Sequence, residues 1–377
     1  MKHVVVAGGS IAGATAASAL RARGWAGRIT LLTEERVPPY SRVPLSKGVL
    51  TGALTPDSVL LPPLPQDVEL HLGRRAVALD PAGRVILLAD GSEVSYDGLV
   101  VATGSRPRRL ARDGQRGELV VRTLDDAAVI AKRVASARSA VVIGGGFLGM
   151  EISSTLRARG LAVTVVSDEP PLRRLVGRWL ADFIVGAAVE RGVEFVISPG
   201  GASLVGEAQV TAVATADGRR RIEADVVISA VGDEPNVDWL RSSGLPLAGG
   251  LVVDDRCRVA AGIVAAGDVA TRELAPGVYR RTPHWTNAVL QGRAAAVSLL
   301  DPDAAPYVPD PYFWTEQFGL DVKIVGELPL AGQPVVIEGD LPRSALLQWH
   351  RGGEPVATVA INCRVPVTRL KRLARQA

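Results

Sequence analysis

Only two cysteines, Cys257 and Cys363, occur in 377 residues. Two thiols supply neither a disulfide framework nor the ligand set of an iron–sulfur cluster, so no intrinsic metal centre is expected. Aromatic residues make up only 4% of the chain, and no helix-turn-helix, zinc or aromatic-plus-basic pattern accompanies the net charge of +4. A nucleic-acid partner is therefore not expected, whereas an acidic protein suits the mild arginine excess. No apolar run reaches the roughly 18 residues of a membrane span, and no membrane association is expected. The first twenty residues end in the small-residue style of a secretory leader, but their glycines fall at nucleotide-turn spacing, so a cytoplasmic protein is expected. The length exceeds one ordinary core and implies two or three domains.

What the chain does contain is organised around residues 141–151, V-V-I-G-G-G-F-L-G-M-E. A β-branched run meets G-x-G-x-x-G at Gly144, Gly146 and Gly149, and a helical stretch follows. The first glycine permits the turn, the second lets a pyrophosphate approach the backbone, and the third lets the helix lie close on the strand. A related copy opens the chain: a strand over 3–7, the turn Gly8-Gly9-Ser10-Ile11-Ala12-Gly13, then a helix of small residues over 14–23. Ser10 takes the place of the middle glycine. The next strand, over 28–33, delivers Glu34 and Glu35 about 20 residues past the turn, where a carboxylate would accept the hydroxyls of an adenosine ribose.

Further on, two prolines stiffen residues 39–47 and a short helix is expected to begin at Ser46-Lys47. A buried strand over 99–105 ends in small residues. A helix over 125–137 leads into the 141–151 turn, and the second strand of that unit, 162–166, ends at Ser167-Asp168-Glu169. A strand over 224–231 closes an inserted second nucleotide-binding unit. After it, an apolar strand stops at Gly267-Asp268, and a helix over 286–300 follows Trp285. Beyond 306 the pattern turns β-rich and antiparallel, closing with a basic helix over 367–376. The expected fold is α/β, with two Rossmann-like dinucleotide-binding domains of the glutathione-reductase type, the second inserted in the first, plus a C-terminal α+β domain. The boundaries are 1–109 with 233–305, 110–232, and 306–377.

Seven stretches together resemble the FAD-dependent, NAD(P)H-linked ferredoxin reductases of bacterial cytochrome P450s and ring-hydroxylating dioxygenases, a group that includes putidaredoxin and rubredoxin reductases and apoptosis-inducing factor. They are P-Y-S-R-V-P-L-S-K (39–47), A-T-G-S-R-P (102–107), G-G-G-F-L-G-M-E (144–151), A-V-G-D-E-P-N (230–236), A-A-G-D (265–268), H-W-T-N-A-V-L-Q-G (284–292) and Y-F-W-T-E-Q (312–317). The resemblance spans essentially the whole chain. It implies FAD on Gly8, Ser10, Ala12 and Gly13, with Glu34 or Glu35 at the ribose and Arg42, Lys47, Val77, Ala102, Thr103, Gly104, Arg122, Gly267, Asp268 and Trp285 completing the pocket. It places the nicotinamide dinucleotide on Gly144, Gly146, Phe147, Leu148, Gly149, Glu151, Ser167, Asp168, Arg174, Val231 and Gly232. Lys47, Glu151 and Trp285 are the expected catalytic group, with Lys47 and Glu151 paired where nicotinamide docks.

The implied activity is electron transfer from NAD(P)H through FAD to a [2Fe-2S] ferredoxin, with Arg280, Arg281, Arg364, Arg369 and Lys371 as candidates for steering it, in a monomer or homodimer. Ser167 stands where relatives that use NADH carry a glutamate. Asp168 or Glu169 would repel a 2′-phosphate, whereas Ser167 with Arg173 and Arg174 would accept one; NADH is expected, with NADPH the alternative. Pro283 and His284 replace an acidic residue before the tryptophan, and His284 reads as a structural histidine. Two other functions share these motifs: an oxidase that uses O₂, and a slow redox switch of the apoptosis-inducing-factor kind. A disulfide reductase is disfavoured, because neither cysteine stands in residues 40–50 or in a closely spaced pair.

Overall fold

The structure is a computed structural model that describes residues 1–374, and its contacts divide the chain into two compact units. The first comprises Met1–Ser41, Asp57–Arg106 and Asp233–Asp310, and the second Arg42–Pro56, Pro107–Gly232 and Pro311–Ala377. The loop Arg42–Pro56, which the sequence places with the first nucleotide domain, groups with the second unit. There its two short helical turns, Val43–Ser46 and Gly48–Thr51, pack on the helices Leu124–Val134 and Phe147–Ala158.

In the first unit a six-stranded sheet runs in the order Arg258–Ala260, Ile263–Ala265, Gly98–Val101, His3–Ala7, Arg28–Leu32, Val68–His71. All neighbours are parallel except the first pair. Side chains alternate across a strand, so Val4 and Val6 meet Ala16, Ala17 and Leu20 of the helix Ile11–Ala22 and Ala295 and Ala296 of the helix Trp285–Leu300. On the other face Val5 and Ala7 pack with Leu79, Ile86 and Leu240. Small residues let those two helices touch: a Cβ on Gly292 would stand 2.5 Å from the Ala12 carbonyl oxygen.

The second unit holds a five-stranded parallel sheet ordered Val193–Ile197, Ala162–Ser167, Ser139–Ile143, Val226–Ser229, Glu118–Leu119. Ala202–Val205, Ala212–Thr215 and Arg221–Glu223 form a small antiparallel sheet beside it in sequence. The C-terminal part is a five-stranded antiparallel sheet, Tyr312–Gln317, Leu320–Gly326, Glu354–Ile361, Ser344–Arg351, Val335–Asp340. The helix Val367–Leu373 closes over it through Leu370, against Val325, Leu346 and Ala360. The sequence carries that helix on to Gln376, and residues 375–377 lie outside the described residues. Tyr312–Gln317 is a full strand, where the sequence pattern alone marked only a motif. Among the described residues no helix is long and apolar enough to cross a membrane, and no cluster of His, Cys, Asp or Glu is placed to hold a metal ion.

One helix start departs from the usual chemistry. His284 occupies the N-cap of Trp285–Leu300, and its Nδ1 accepts the Asn287 backbone N–H at 3.3 Å, which requires that nitrogen to be unprotonated. Burial holds the imidazole below its ordinary value of 6.5, with Asp268 and Asp310 offsetting part of the effect. A histidine with a depressed folded pKa is protonated more readily in the unfolded chain, so its contribution is complete above about pH 6.5 and is lost as the pH falls below it. His284→Ala should lower stability by about 1 kcal/mol at pH 7.5, the usual worth of a cap. His284→Asn keeps a capping acceptor and should flatten the stability profile between about pH 5 and pH 6.5 in urea titrations. An Asn variant as acid-sensitive as the parent would contradict the cap.

Candidate functional site

The two glycine turns have nearly the same backbone. Gly8 and Gly144 open them at φ 121° and 112°, values that a side chain rarely tolerates. A Cβ on Gly8 would stand 2.1 Å from the Ala102 oxygen, and one on Gly144 would stand 2.3 Å from the Ala230 oxygen. The third glycines are equally constrained, since a Cβ on Gly13 would lie 1.9 Å from the Gly8 oxygen and one on Gly149 would lie 2.0 Å from the Gly144 oxygen. Each turn feeds a helix of 12 residues, Ile11–Ala22 and Phe147–Ala158, whose first amides carry partial positive charge.

The middle positions differ in kind. A Cβ on Gly146 would meet only Leu175 Cδ1, at 3.9 Å, so this side of the turn is open to a ligand. Ser10 occupies the matching position at φ −99°, ψ −168°, close to the φ −78°, ψ −179° of Gly146. Both values are extended backbone that any residue adopts, and the Ser10 hydroxyl makes no capping bond. The substitution leaves the turn intact and adds a hydroxyl at its middle position. Both turns therefore fit a pyrophosphate by backbone conformation.

In the first unit, Glu35 stands past the strand Arg28–Leu32 and its carboxylate accepts the hydroxyl of the buried Tyr40, while Glu34 is exposed. Val77 sits at the bulge of the strand Ala76–Asp80. Ala102 is buried, and Thr103 is tied to Asn236 by two hydrogen bonds of 2.9 Å. Gly104 and Gly267 both take positive φ, 66° and 80°. The Gly267 N–H donates to Gln291 Oε1 at 2.9 Å, which delivers Asp268 just beyond the end of the parallel strands, the place where open α/β sheets take ligands. Trp285 is 37% exposed at the start of its helix.

In the second unit, Arg42 donates to the Arg122 carbonyl at 2.8 Å. Lys47 Nζ lies 2.7 Å from Glu151 Oε2, and the two side chains are only 18% and 11% exposed. Ser46 Oγ donates to the same oxygen at 2.9 Å, and Thr315 Oγ1 donates to Oε1 at 2.8 Å. Glu151 is thus satisfied at both oxygens, the condition under which a buried ion pair is tolerable. The Phe147 ring packs on Phe313 at 4.3 Å, while Leu148 is exposed on the first turn of the helix. Val231 and the exposed Gly232 end the strand side opposite Gly144.

At the end of the strand Ala162–Ser167, Ser167 is buried beneath Gly145, Asp168 is exposed, and Glu169 pairs with Arg174 at 2.7 Å. Arg173 donates twice to Asp182, at 3.1 and 2.9 Å. Both arginines that the sequence offered to a 2′-phosphate are therefore engaged by carboxylates. Of the five proposed steering cations, Arg281 is held by Asp233 at 2.9 and 3.0 Å and by the Asp268 carbonyl, and Arg369 pairs with Glu338. Lys371 is half-buried, and Arg280 and Arg364 are exposed. Ser46 was read from the sequence only as a helix start, and Thr315 and Gln317 were not singled out as site residues. Their only signal as site residues was membership of the 39–47 and 312–317 motifs.

Both cysteines are free, and burial pushes the Cys257 thiol up to about 12, which makes it a poor nucleophile. Residues 2–292 match the model of the pyridine nucleotide-disulphide oxidoreductases. The chain is 36% identical over 369 residues to the ferredoxin--NAD(+) reductase subunit of the benzene 1,2-dioxygenase system of Pseudomonas putida, covering 96% of this chain and 89% of that one. The crystal structure of the ferredoxin reductase for the CYP199A2 system from Rhodopseudomonas palustris superposes with a TM-score of 0.87 at 33% identity, over 96% of this chain and 91% of that one. The covalent putidaredoxin reductase–putidaredoxin complex matches with a TM-score of 0.87 at 29% identity, over 99% and 93% of the two chains. With its two glycine turns and matched length, this chain belongs to the pyridine nucleotide-disulphide oxidoreductase family, and it is an oxidoreductase.

Proposed function

We propose that this protein is a cytoplasmic reductase that takes electrons from NADH and delivers them to a [2Fe-2S] ferredoxin serving a P450 or a ring-hydroxylating oxygenase. The observation that carries the reading is the pair of matching glycine turns together with the buried Lys47–Glu151 pair, in a chain whose two cysteines are both free and whose Cys257 thiol is buried. FAD is assigned to the turn Gly8–Gly13, with Glu35 at the adenosine ribose and Asp268 at the ribityl chain, and the nicotinamide dinucleotide to Gly144–Gly149. The three-domain division at 109, 232 and 305 belongs to the same proposal. The chemistry that bound FAD would supply is two-electron acceptance from the nicotinamide and one-electron release.

The protein's part is to bind, orient and balance charge. The helix starts at Ile11 and Phe147 present backbone N–H groups to the two pyrophosphates. Glu151 and Lys47 mark where the nicotinamide ring docks. The start of Trp285–Leu300 adds partial positive charge beside Trp285, which favours accumulation of negative charge nearby. Arg280 and Arg364 are the exposed cations left to attract an acidic ferredoxin.

Two measurements check this. NADH-driven reduction of a [2Fe-2S] ferredoxin should proceed with a rate that falls about tenfold between 50 and 500 mM salt, as expected for steered association. Oxygen consumption at the same rate without ferredoxin would favour an oxidase instead. Turnover slower than one per minute with a change of oligomeric state would favour a switch. For the coenzyme, Glu169→Gln should free Arg174 for a 2′-phosphate and shift the NADH-to-NADPH affinity ratio by about tenfold toward NADPH in equilibrium binding, the scale of one charged contact. An unchanged ratio would remove Glu169 from the selectivity argument.

A further inference from the structure

We propose that Thr315 and Gln317, on the strand Tyr312–Gln317, are positioning residues for hydride transfer: their hydrogen-bond relay fixes the Glu151 carboxylate that holds Lys47. The proposal rests on the reductase reading above and deepens it. Gln317 Nε2 donates to Thr315 Oγ1 at 2.9 Å. A threonine hydroxyl has a single proton, and with its oxygen already accepting, that proton is directed to Glu151 Oε1 at 2.8 Å. Ser46 Oγ and Lys47 Nζ meet the other oxygen at 2.9 and 2.7 Å. Thr315 is 0% exposed, Gln317 and Ser46 are each 3%, and Glu151 is 9%. At such burial every bond is strengthened by its low-dielectric surroundings, and every lost partner is expensive.

The relay governs orientation because the backbone around Glu151 is held by other bonds. Thr155, one helical turn on, donates to the Ser46 carbonyl at 2.7 Å. Ser154, on the same face as Glu151, accepts the Phe318 N–H at 2.7 Å, which pins the tip of the hairpin made by Tyr312–Gln317 and Leu320–Gly326. The Phe147–Phe313 contact fixes its other end. With helix, loop and hairpin secured in this way, what Thr315 adds is the plane of the carboxylate. The terminal torsion of a glutamate is broad and nearly two-fold, so it takes its direction from its partners. Lys47, on a flexible four-carbon stem, follows the oxygen it pairs with.

The test uses the FAD-loaded full chain with Thr315→Val, which keeps the shape of the side chain and removes its hydroxyl, and Thr315→Ser, which restores the hydroxyl. The rate of flavin bleaching at saturating NADH should fall about tenfold in the valine variant, the scale of a small misplacement at a reacting centre. The NADH dissociation constant should change less than about threefold, and the serine variant should recover to within about twofold of the parent. Without NADH, acylation of Lys47 by acetic anhydride, followed by peptide mass spectrometry, should rise about threefold in the valine variant and return in the serine variant, as a loosened ion pair exposes the amine. Gln317→Met removes the first donor of the relay, should act in the same direction, and serves if the valine variant does not fold. Unchanged bleaching and unchanged Lys47 reactivity would overturn the proposal, and so would a loss of NADH affinity with the saturating rate preserved. If the parent holoprotein is not bleached at all, the reductase reading has failed and the catalytic part of this proposal with it, while Lys47 reactivity still decides whether the relay exists.

Discussion

A carboxylate taken out of water must be met by donors at both oxygens, and Glu151 is met from segments that are distant in sequence. The loop 39–47 supplies Ser46 and Lys47, the strand Tyr312–Gln317 supplies Thr315, and the helix after the second glycine turn supplies Glu151 itself. A buried ion pair of this kind is weak evidence for stability, since apolar residues of the same volume often serve a fold as well or better. What it does provide is a fixed direction. That requirement ties the loop Arg42–Pro56 to the second unit and joins the antiparallel C-terminal sheet to the helix that begins at Phe147.

The glycine turns impose the complementary constraint, absence of side chains where backbone must meet backbone. Gly13 and Gly149 sit against the carbonyl of the first glycine of their own turn, so the helix can start only there and only that close. The middle position escapes the constraint because its backbone is extended, which is why Ser10 is compatible with a turn otherwise like its counterpart. The same fold thus carries two dinucleotide turns with different residues, serine and glycine, at their middle positions.

Much of this was legible in the sequence, and the reason is local chemistry. Glycine spacing, β-branched runs and small-residue helices each declare themselves within about a dozen residues, and the strands and helices that those patterns marked fall within a few residues of their place, whereas Val68–His71, Arg178–Glu190 and Val193–Ile197 carried no such mark. The pairing of Lys47 with Glu151 was legible only through resemblance, because 104 residues separate them. Thr315 and Gln317 were hidden because threonine and glutamine in a strand read as ordinary strand residues until the register places them beside a helix. Arg281 looked like a surface cation, yet two hydrogen bonds from its guanidinium to the Asp233 carboxylate make it a brace of the first unit. His284 carried no capping signature, since histidine caps a helix only when burial keeps it neutral.

The central claim is that the chain binds flavin on its first turn and oxidises nicotinamide docked on its second. Anaerobic mixing of the FAD-loaded protein with NADH, followed at the flavin absorbance near 450 nm, tests it most directly. The account predicts bleaching within about a second, of the order of common enzyme turnover, and faster with NADH than with NADPH. A preparation that binds no flavin, or a flavin that neither coenzyme bleaches, would contradict it.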